Sequence, residues 1–476
     1  MKKNSLISLV LAVMLSVTCV QPVQLNEIKT VQAATVKKAN KPEMNKKVVT
    51  LVVGKKVKLK LINAKAKKVK WKSSNEKIAT VKKGVVRAKQ IGKVKITAKY
   101  KGKKYKSIIT VTMTKNEINQ CVDMVDYFDD GKNIMFSPLS LNMVLGMVAN
   151  ASGTKAKKEI EKYFGCNIKN YNGAVDNFIK DSMYGEALKI SNGVWYKDNY
   201  ELLSSFDNKV SAKYKAEVNP LNFDDTNGAA NEINKWCNEK TDGLIQEIVG
   251  PGSFSPSLRA LFINAIYFKS NWSDTFNKNI TKKKKFIDFS GNKKKVKTML
   301  GEAEVYYEND CAIGFGKYYK SGNYSFVAIL PKKKGKFTLK ELKLEEFLNS
   351  KTYKYDVDVE MPRFTYEWNS EEKIDNYMRS HGVRKMYNSA SNPLSNLLNI
   401  KENIFLSTIM QTCKIEVDEY GTKAAAVTKA DLCGASGPNM EVPPRKEVIL
   451  NRPFAYMIID NTTNQILFMG KVVEIK

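Results

Sequence analysis

Chemistry in the 476-residue chain is bounded first by what is scarce. His381 is the one histidine. It stands in YMRSHGVRKMY, after a helical pattern and before the turn glycine Gly382, where a helix C-terminus favours an imidazole for structural reasons. That placement argues against a Ser-His-Asp or Cys-His hydrolase and against a zinc site. The seven cysteines, Cys19, Cys121, Cys166, Cys237, Cys311, Cys413 and Cys433, are scattered, with no CxxC. Most read as small buried hydrophobes. Cys433, in a polar loop, reads as an exposed thiol. No GxGxxG, GxxxxGK[ST] or HExxH motif is present. The chain is expected to be no enzyme and to need no cofactor or metal.

The stretch that invites a chemical role is DEYGTKAAAVTKADLCGASGPNM, residues 418–440. It is too apolar for a plain linker and too small-sided for a packed helix. Placed on a strand, it sorts cleanly by period two. One face carries Thr422, Ala424, Ala426, Thr428, Ala430 and Leu432. The other carries Lys423, Ala425, Val427, Lys429, Asp431 and Cys433, and every charge falls on this second face. A one-residue slip would bury Lys423, Lys429 and Asp431. No proline interrupts Thr422–Gly437, so every N–H is free to join a ladder. Gly421 supplies conformational freedom at the start. Gly421 to Ala435 would span about 46 Å at roughly 3.3 Å per residue.

The elements around this stretch divide the chain. MKKNSLISLVLAVMLSVTCV, with Ala33-Ala34 as a small-residue cleavage site, reads as a secretory signal, and no other run is long and apolar enough to span a membrane. The mature protein is expected to be secreted, extracellular or associated with a cell surface. Residues 35–115 hold 27 Lys and Arg against two acids, Glu43 and Glu76, so most of the net charge of +31 sits in this segment. Within it, VVTLVVG, VKLKLI, KVKWKSS, KVKITAKY and KKYKSIITVTM alternate apolar with lysine between turn glycines. This predicts about seven short antiparallel strands in a small sandwich with one lysine-coated face. The coat is either a solvated face or an adhesive surface for anionic wall or glycan polymers. Few aromatics accompany the lysines, which disfavours nucleic acid.

From Asn116 the pattern changes. NEINQCVDMVDYF, PLSLNMVLGMVANA, TKAKKEIEKYFG and AANEINKWCNEKTDGLIQEIV have helical periodicity. RALFINAIYFK, YSFVAILP, YDVDVEMPRFTY, CKIEVDEY, EVILNRPFAYMII and ILFMGKVVEI read as strands. Helices first and strands later argue for α+β with large sheets. Lysine runs at 282–285 and 293–295 flank strand turns; a solvated charge run is the plainer reading, a glycosaminoglycan-like cofactor site the sharper one.

Two resemblances refine this. LVVGKKVKLKL, VKWKSSNEKIATV and GVVRAKQIGKVKITAKY resemble the group 2 bacterial Ig-like domain, which implies a spacer or adhesive module over residues 35–114. NIMFSPLSLNMVLGMVANASGTKAKKEIEKYF, INKWCNEKTDGLIQEIV, ALFINAIYFKSNW, VEMPRFTYE, IEVDEYGTKAAA and NRPFAYMIIDNTTNQILFMGKVV resemble serpin segments, in serpin order, over 116–476. That resemblance implies a serpin fold of three β-sheets, about nine helices and an exposed reactive-centre loop, behind an Ig-like sandwich and a signal peptide at 1–34. It implies a suicide substrate: a target serine or cysteine protease attacks the loop, and the cut loop inserts as a new central strand. Glu419, Gly421, Thr422, Ala424, Ala425 and Ala426 would form the hinge. Counting from Glu419 places the reactive bond at Ala435-Ser436. Counting back from Val442-Pro443-Pro444 places it at Met440-Glu441. A small residue before the cut suits an elastase-like or subtilisin-like enzyme. Lys423 stands where the family usually has Glu. Ser137, Ser140 and Asn264 match the family's polar cluster beneath the sheet, with Gln411 in place of its histidine. Trp272 matches the tryptophan at the sheet's top. The alternative is a non-inhibitory member acting in surface binding or adhesion.

Overall fold

The computed structural model describes residues 41–182, 187–370, 372–422 and 443–475. The leader lies outside these residues.

The lysine-rich module is built from nine short strands. Four of them, Val48–Val52, Lys103–Thr112, Gly92–Tyr100 and Lys70–Ser73, form one sheet, and Lys56–Lys58, Val85–Ala88 and Ala79–Lys82 form another. A two-stranded pair, Glu43–Met44 with Leu61–Ile62, completes it. Pairing is not antiparallel throughout, as the alternation predicts, because Val48–Val52 runs parallel to Lys103–Thr112. Alternation holds: along Gly92–Tyr100, Lys93, Lys95 and Lys99 are exposed and Val94, Ile96 and Ala98 buried.

The remainder carries eight α-helices among the described residues, against the nine or so implied: α1 (Glu117–Phe128), α2 (Pro138–Ala151), α3 (Thr154–Phe164), α4 (Ile168–Ser182), α5 (Ser204–Tyr214), α6 (Thr226–Lys240), α7 (Leu344–Asn349) and α8 (Lys373–Ser380). α2 is buried on every face, as an apolar helix without a polar stripe must be. It packs against the sheet strand Ala260–Phe268 and against Ile466–Val472. α6 stops at Lys240, short of the predicted DGLIQEIV extension. Thr241 turns its hydroxyl onto Cys237 O (2.8 Å), and Asp242 and Gly243 take positive φ, which ends the helix.

Eleven strands frame the region of interest: β1 (Leu188–Lys197), β2 (Ala216–Leu221), β3 (Ala260–Phe268), β4 (Ser270–Asn271), β5 (Lys282–Ile287), β6 (Lys293–Ala303), β7 (Asp356–Pro362), β8 (Phe364–Asn369), β9 (Thr412–Val417), β10 (Gly421–Thr422) and β11 (Arg445–Ile449). One layer holds β2-β1-β3 and, continuing through Lys269, β4-β10-β9-β8; a second sheet is β5-β6-β7-β11. A third, six-stranded sheet is antiparallel and almost wholly buried, with Phe454–Asp460 and Ile466–Val472 among its interior strands. Two runs read as single strands are each split between sheets. YDVDVEMPRFTY becomes β7 and β8, broken at Arg363 after Pro362; EVILNRPFAYMII becomes β11 and Phe454–Asp460, broken before Pro453. Proline cannot donate to a ladder, which explains both breaks. The lysine runs flank the turn at 288–292 from within β5 and β6, which pair with each other.

Candidate functional site

The site is a slot in the first layer. β3 pairs with β1 on one side, and no pairing on its other side exists among the described residues. β9 pairs with β8, and on its inner edge only Val417 is matched, to Thr422 of β10. At the top, β10 bridges the gap, with Thr422 opposite Ser270 and Gly421 opposite Asn271 of β4. Below that plug, the facing edges of β3 and β9 carry backbone donors and acceptors suited to one more strand.

Residues Asp418–Thr422 hold the plug in place. The Glu419 side chain is 1% exposed. Its Oε1 accepts from the Thr281 hydroxyl at 2.8 Å, its Oε2 lies 3.4 Å from Arg363 Nε, and its carbonyl accepts from Phe276 N at 2.9 Å. Asp418 Oδ1 accepts from the N–H groups of Tyr420 (2.8 Å) and Gly421 (3.2 Å), and burial pushes its carboxyl above the usual range. Trp272 donates Nε1–H to Asp418 O at 3.0 Å and its backbone N–H to Tyr420 O at 2.8 Å. Its ring stacks on Tyr319 at 4.7 Å and 15°. The Tyr319 hydroxyl bonds Thr422 Oγ1 at 2.7 Å.

Gly421 has no positive φ here, and its part in this state is steric. What it supplies is room: a Cβ there would lie 2.7 Å from Asn271 Cα and closer still to Ser270 O.

Lower in the slot, the polar residues expected beneath the sheet do meet. Ser137, N-cap of α2, donates its backbone N–H to Gln411 Oε1 at 2.8 Å, and Gln411 Nε2 donates to Ser137 O at 2.9 Å. Ser137 Oγ donates to Leu467 O at 2.7 Å and accepts from Ser140 N at 3.2 Å. Ser140 Oγ donates to the carbonyl of Asn264 at 3.5 Å. Asn264 Nδ2 donates to Asn192 Oδ1 at 2.8 Å, directly across β3 and β1. Gln411 thus joins a buried network by using both ends of its amide. Sequence reasoning missed Asn192, whose Nδ2 donates to Tyr214 O at 2.7 Å, and Ser370, whose Oγ accepts from Gln411 N at 2.8 Å. A lone Asn in the apolar run ISNGVWY was the available signal for the first.

The structure therefore forms two groups: Glu419, Gly421, Thr422 and Trp272 at the mouth, and Ser137, Ser140, Asn264 and Gln411 below. Ala424, Ala425, Ala426, Ala435, Ser436, Met440, Glu441 and Cys433 lie outside the described residues. His381 caps α8: its ring stacks on Tyr377 at 3.9 Å and its Nδ1 lies 2.8 Å from Tyr377 O. Burial lifts the thiols of Cys166, Cys237 and Cys413 to about 12, which leaves them un-ionised at neutral pH. Among the described residues no acid, histidine or cysteine cluster could hold a metal, and no helix is long and apolar enough to cross a membrane.

Comparison with known proteins agrees with this geometry. The profile of the serpin family, serine protease inhibitors, matches residues 119–475, and that of the group 2 bacterial Ig-like domain matches residues 31–116. The native state of a thermophilic serpin, tengpin, superposes with a TM-score of 0.66 at 30% identity, covering 76% of this chain and 95% of that one. Neuroserpin of Homo sapiens is 28% identical over 371 residues, 72% of this chain and 87% of its own length. A leukocyte elastase inhibitor of Xenopus laevis is 28% identical over 378 residues, 74% of this chain and 96% of its own. The chain belongs to the serpin family, whose members are generally protease inhibitors, and carries a bacterial Ig-like domain in front of its serpin domain.

Proposed function

We propose that the protein is a secreted suicide inhibitor of a serine protease, with residues 423–442 as the bait. The observation that carries this reading is the half-filled slot. Gly421 and Thr422 already stand as the first two residues of a strand between β4 and β9, while the edges of β3 and β9 below them are unpaired among the described residues. A cut within the bait would free the chain to continue downwards from Thr422. The alternation of residues 422–433 then turns Thr422, Ala424, Ala426, Thr428, Ala430 and Leu432 inward and leaves every charge outward. Insertion of a cleaved loop into a serpin sheet is an established instance of strand addition and of conformational switching. The acyl-enzyme is carried along before water can release it.

The reactive bond is proposed at Ala435-Ser436, ahead of Met440-Glu441, and the target as an elastase-like or subtilisin-like enzyme. Similarity to a leukocyte elastase inhibitor supports that preference. The Ig-like module would hold the inhibitor at a surface, its lysine face meeting an anionic wall or glycan polymer. Incubation with pancreatic or neutrophil elastase tests the reading. A complex that survives boiling in detergent supports it; clean cleavage near residue 435 without a complex sinks it.

A further inference from the structure

A small polar pocket lies away from both the slot and the bait. It holds about 200 Å³ between α1, α3 and the end of α8, beside Lys115 and Asn116 at the domain boundary. That is below the roughly 300–1,000 Å³ of pockets that take drug-sized ligands, so an occupant must be small. Two of its polar side chains are committed to the fold. Glu159 Oε2 accepts from the backbone N–H groups of Arg384 (2.8 Å) and Lys385 (2.7 Å). Gln120 accepts from the Thr114 hydroxyl at 3.2 Å and donates Nε2–H to Tyr163 O at 3.2 Å.

The other polar groups of the pocket are not committed. Tyr163 lines it and is 6% exposed, yet its hydroxyl makes no hydrogen bond among the described residues. Burial, with Tyr377, Cys121 and Asp123 as neighbours, keeps that hydroxyl protonated well beyond the ordinary tyrosine range. A buried hydroxyl without a partner is costly, and a ligand that bonds it relieves that cost. The Asp123 carboxylate on α1 has neither a hydrogen bond nor an ion pair among the described residues, and the same holds for the ammonium groups of Lys115 and Lys162. His381 Nδ1 lies 2.8 Å from the Tyr377 carbonyl, which can only accept. Nδ1 therefore carries the proton of the neutral ring, and Nε2 is left as an acceptor.

Charge and geometry together select the occupant. A lone cation would meet Lys115 and Lys162, and a lone anion would meet Asp123 and Glu159. A zwitterion answers both signs at once. An N-methylated ammonium needs open aromatic faces. Here the His381 ring covers one face of Tyr377 at 3.9 Å and 27°, and Tyr127 packs against Tyr377 edge-on at 5.4 Å. What remains for a cation is an acceptor of N–H, which selects a primary ammonium. We propose that this pocket binds a free α-amino acid with a neutral, amide-bearing side chain. Asp123 takes its ammonium and Lys162 its carboxylate. Its side-chain amide donates N–H to His381 Nε2, and the amide oxygen accepts from the Tyr163 hydroxyl. This site shares no residue with the slot and does not depend on the protease-trapping reading.

His381 is the one histidine of the chain, so an untagged full chain isotopically labelled at histidine Cε1 gives a single ring signal in NMR, reporting from the pocket itself. L-Glutamine is the probe. It should shift that signal saturably, with half-saturation at about 1 mM or below. N-acetyl-L-glutamine lacks the ammonium, L-glutaminamide lacks the carboxylate, and glycine betaine offers no N–H; each should bind about tenfold more weakly or worse. Asp123→Asn and Lys162→Ser, both at exposed positions, should weaken L-glutamine by about tenfold or more while the thermal midpoint stays near that of the wild type. Lys169→Ser, at an exposed position on α4, should leave binding unchanged. A histidine signal that L-glutamine does not move, or moves without saturating, would overturn the proposal. So would equal binding of any of the three blocked analogues, or full-strength binding to Asp123→Asn.

Discussion

Thr422→Arg is the substitution that most directly loads the proposed insertion. Thr422 is 3% exposed, its hydroxyl bonded to Tyr319 at 2.7 Å and its backbone paired with both Ser270 and Val417. Arginine there loses the Tyr319 bond, worth about 1 kcal/mol. It also places an unpaired guanidinium against the Trp272–Tyr319 stack, at a cost of several kcal/mol before relaxation. If about 3 kcal/mol of that survives in the inserting state, insertion slows roughly 100-fold, since each 1.4 kcal/mol is a factor of ten. Hydrolysis of the acyl-enzyme would then outrun trapping. The assay counts inhibitor molecules consumed per protease molecule trapped. The wild type should need close to one, and Thr422→Arg should be turned over as a substrate. Thr422→Val, which removes only a hydroxyl bond already made before cleavage, should lower the stability of the uncut chain by about 1 kcal/mol and still trap. If Thr422→Arg traps as efficiently as the wild type, Thr422 does not face inward and the strand register is wrong.

Other consequences follow from the same geometry. Gly421→Ala puts a Cβ against Ser270 O and Asn271, so β10 should leave the mouth; amide exchange at residues 270–271 should quicken, and stability should fall by about 1–3 kcal/mol. Gln411→Ala strips both amide bonds from Ser137 and leaves its buried N–H unpaired, while its C=O keeps only the Leu141 N–H; a loss of about 1–3 kcal/mol should appear as a lower denaturant midpoint. Burial raises the Glu117 carboxyl from 4.5 to about 7. Between those values the folded chain binds a proton that the unfolded chain releases, so this group's contribution to stability falls as pH rises from 4.5 to 7. Glu117→Gln keeps an oxygen acceptor for Gln465 Nε2 and Ile466 N but carries no charge. It should be more stable than the wild type at pH 8, by up to about 3 kcal/mol, and little different at pH 4.5; urea unfolding at both values checks this.

Residue type carried much of this site in advance, and distance in the chain concealed the rest. The mostly apolar α2, the Ser137 cap and the polar Asn264 within an apolar strand are local features. The breaks at Arg363 and before Pro453 were signalled by proline, yet each run was apolar enough on both sides to pass for one strand. The end of α6 depended on Thr241 bonding back to Cys237, a local competition that apolar periodicity does not report. The steric part of Gly421 was hidden for a different reason. Its constraint comes from the backbone of Ser270 and Asn271, about 150 positions earlier, and nothing in the neighbouring sequence announces so close an approach. The lysine runs were visible as runs, but their cross-strand opposition needed the register of β5 and β6.

The central claim is that the chain traps a protease covalently at a defined loop bond. Mass spectrometry of the elastase reaction, on the intact complex and on the small fragment released, tests it most directly. The account predicts a protease–inhibitor adduct joined at Ala435 and a released fragment that begins at Ser436. A chain cut at that bond beside free, active elastase, with no adduct, would contradict it.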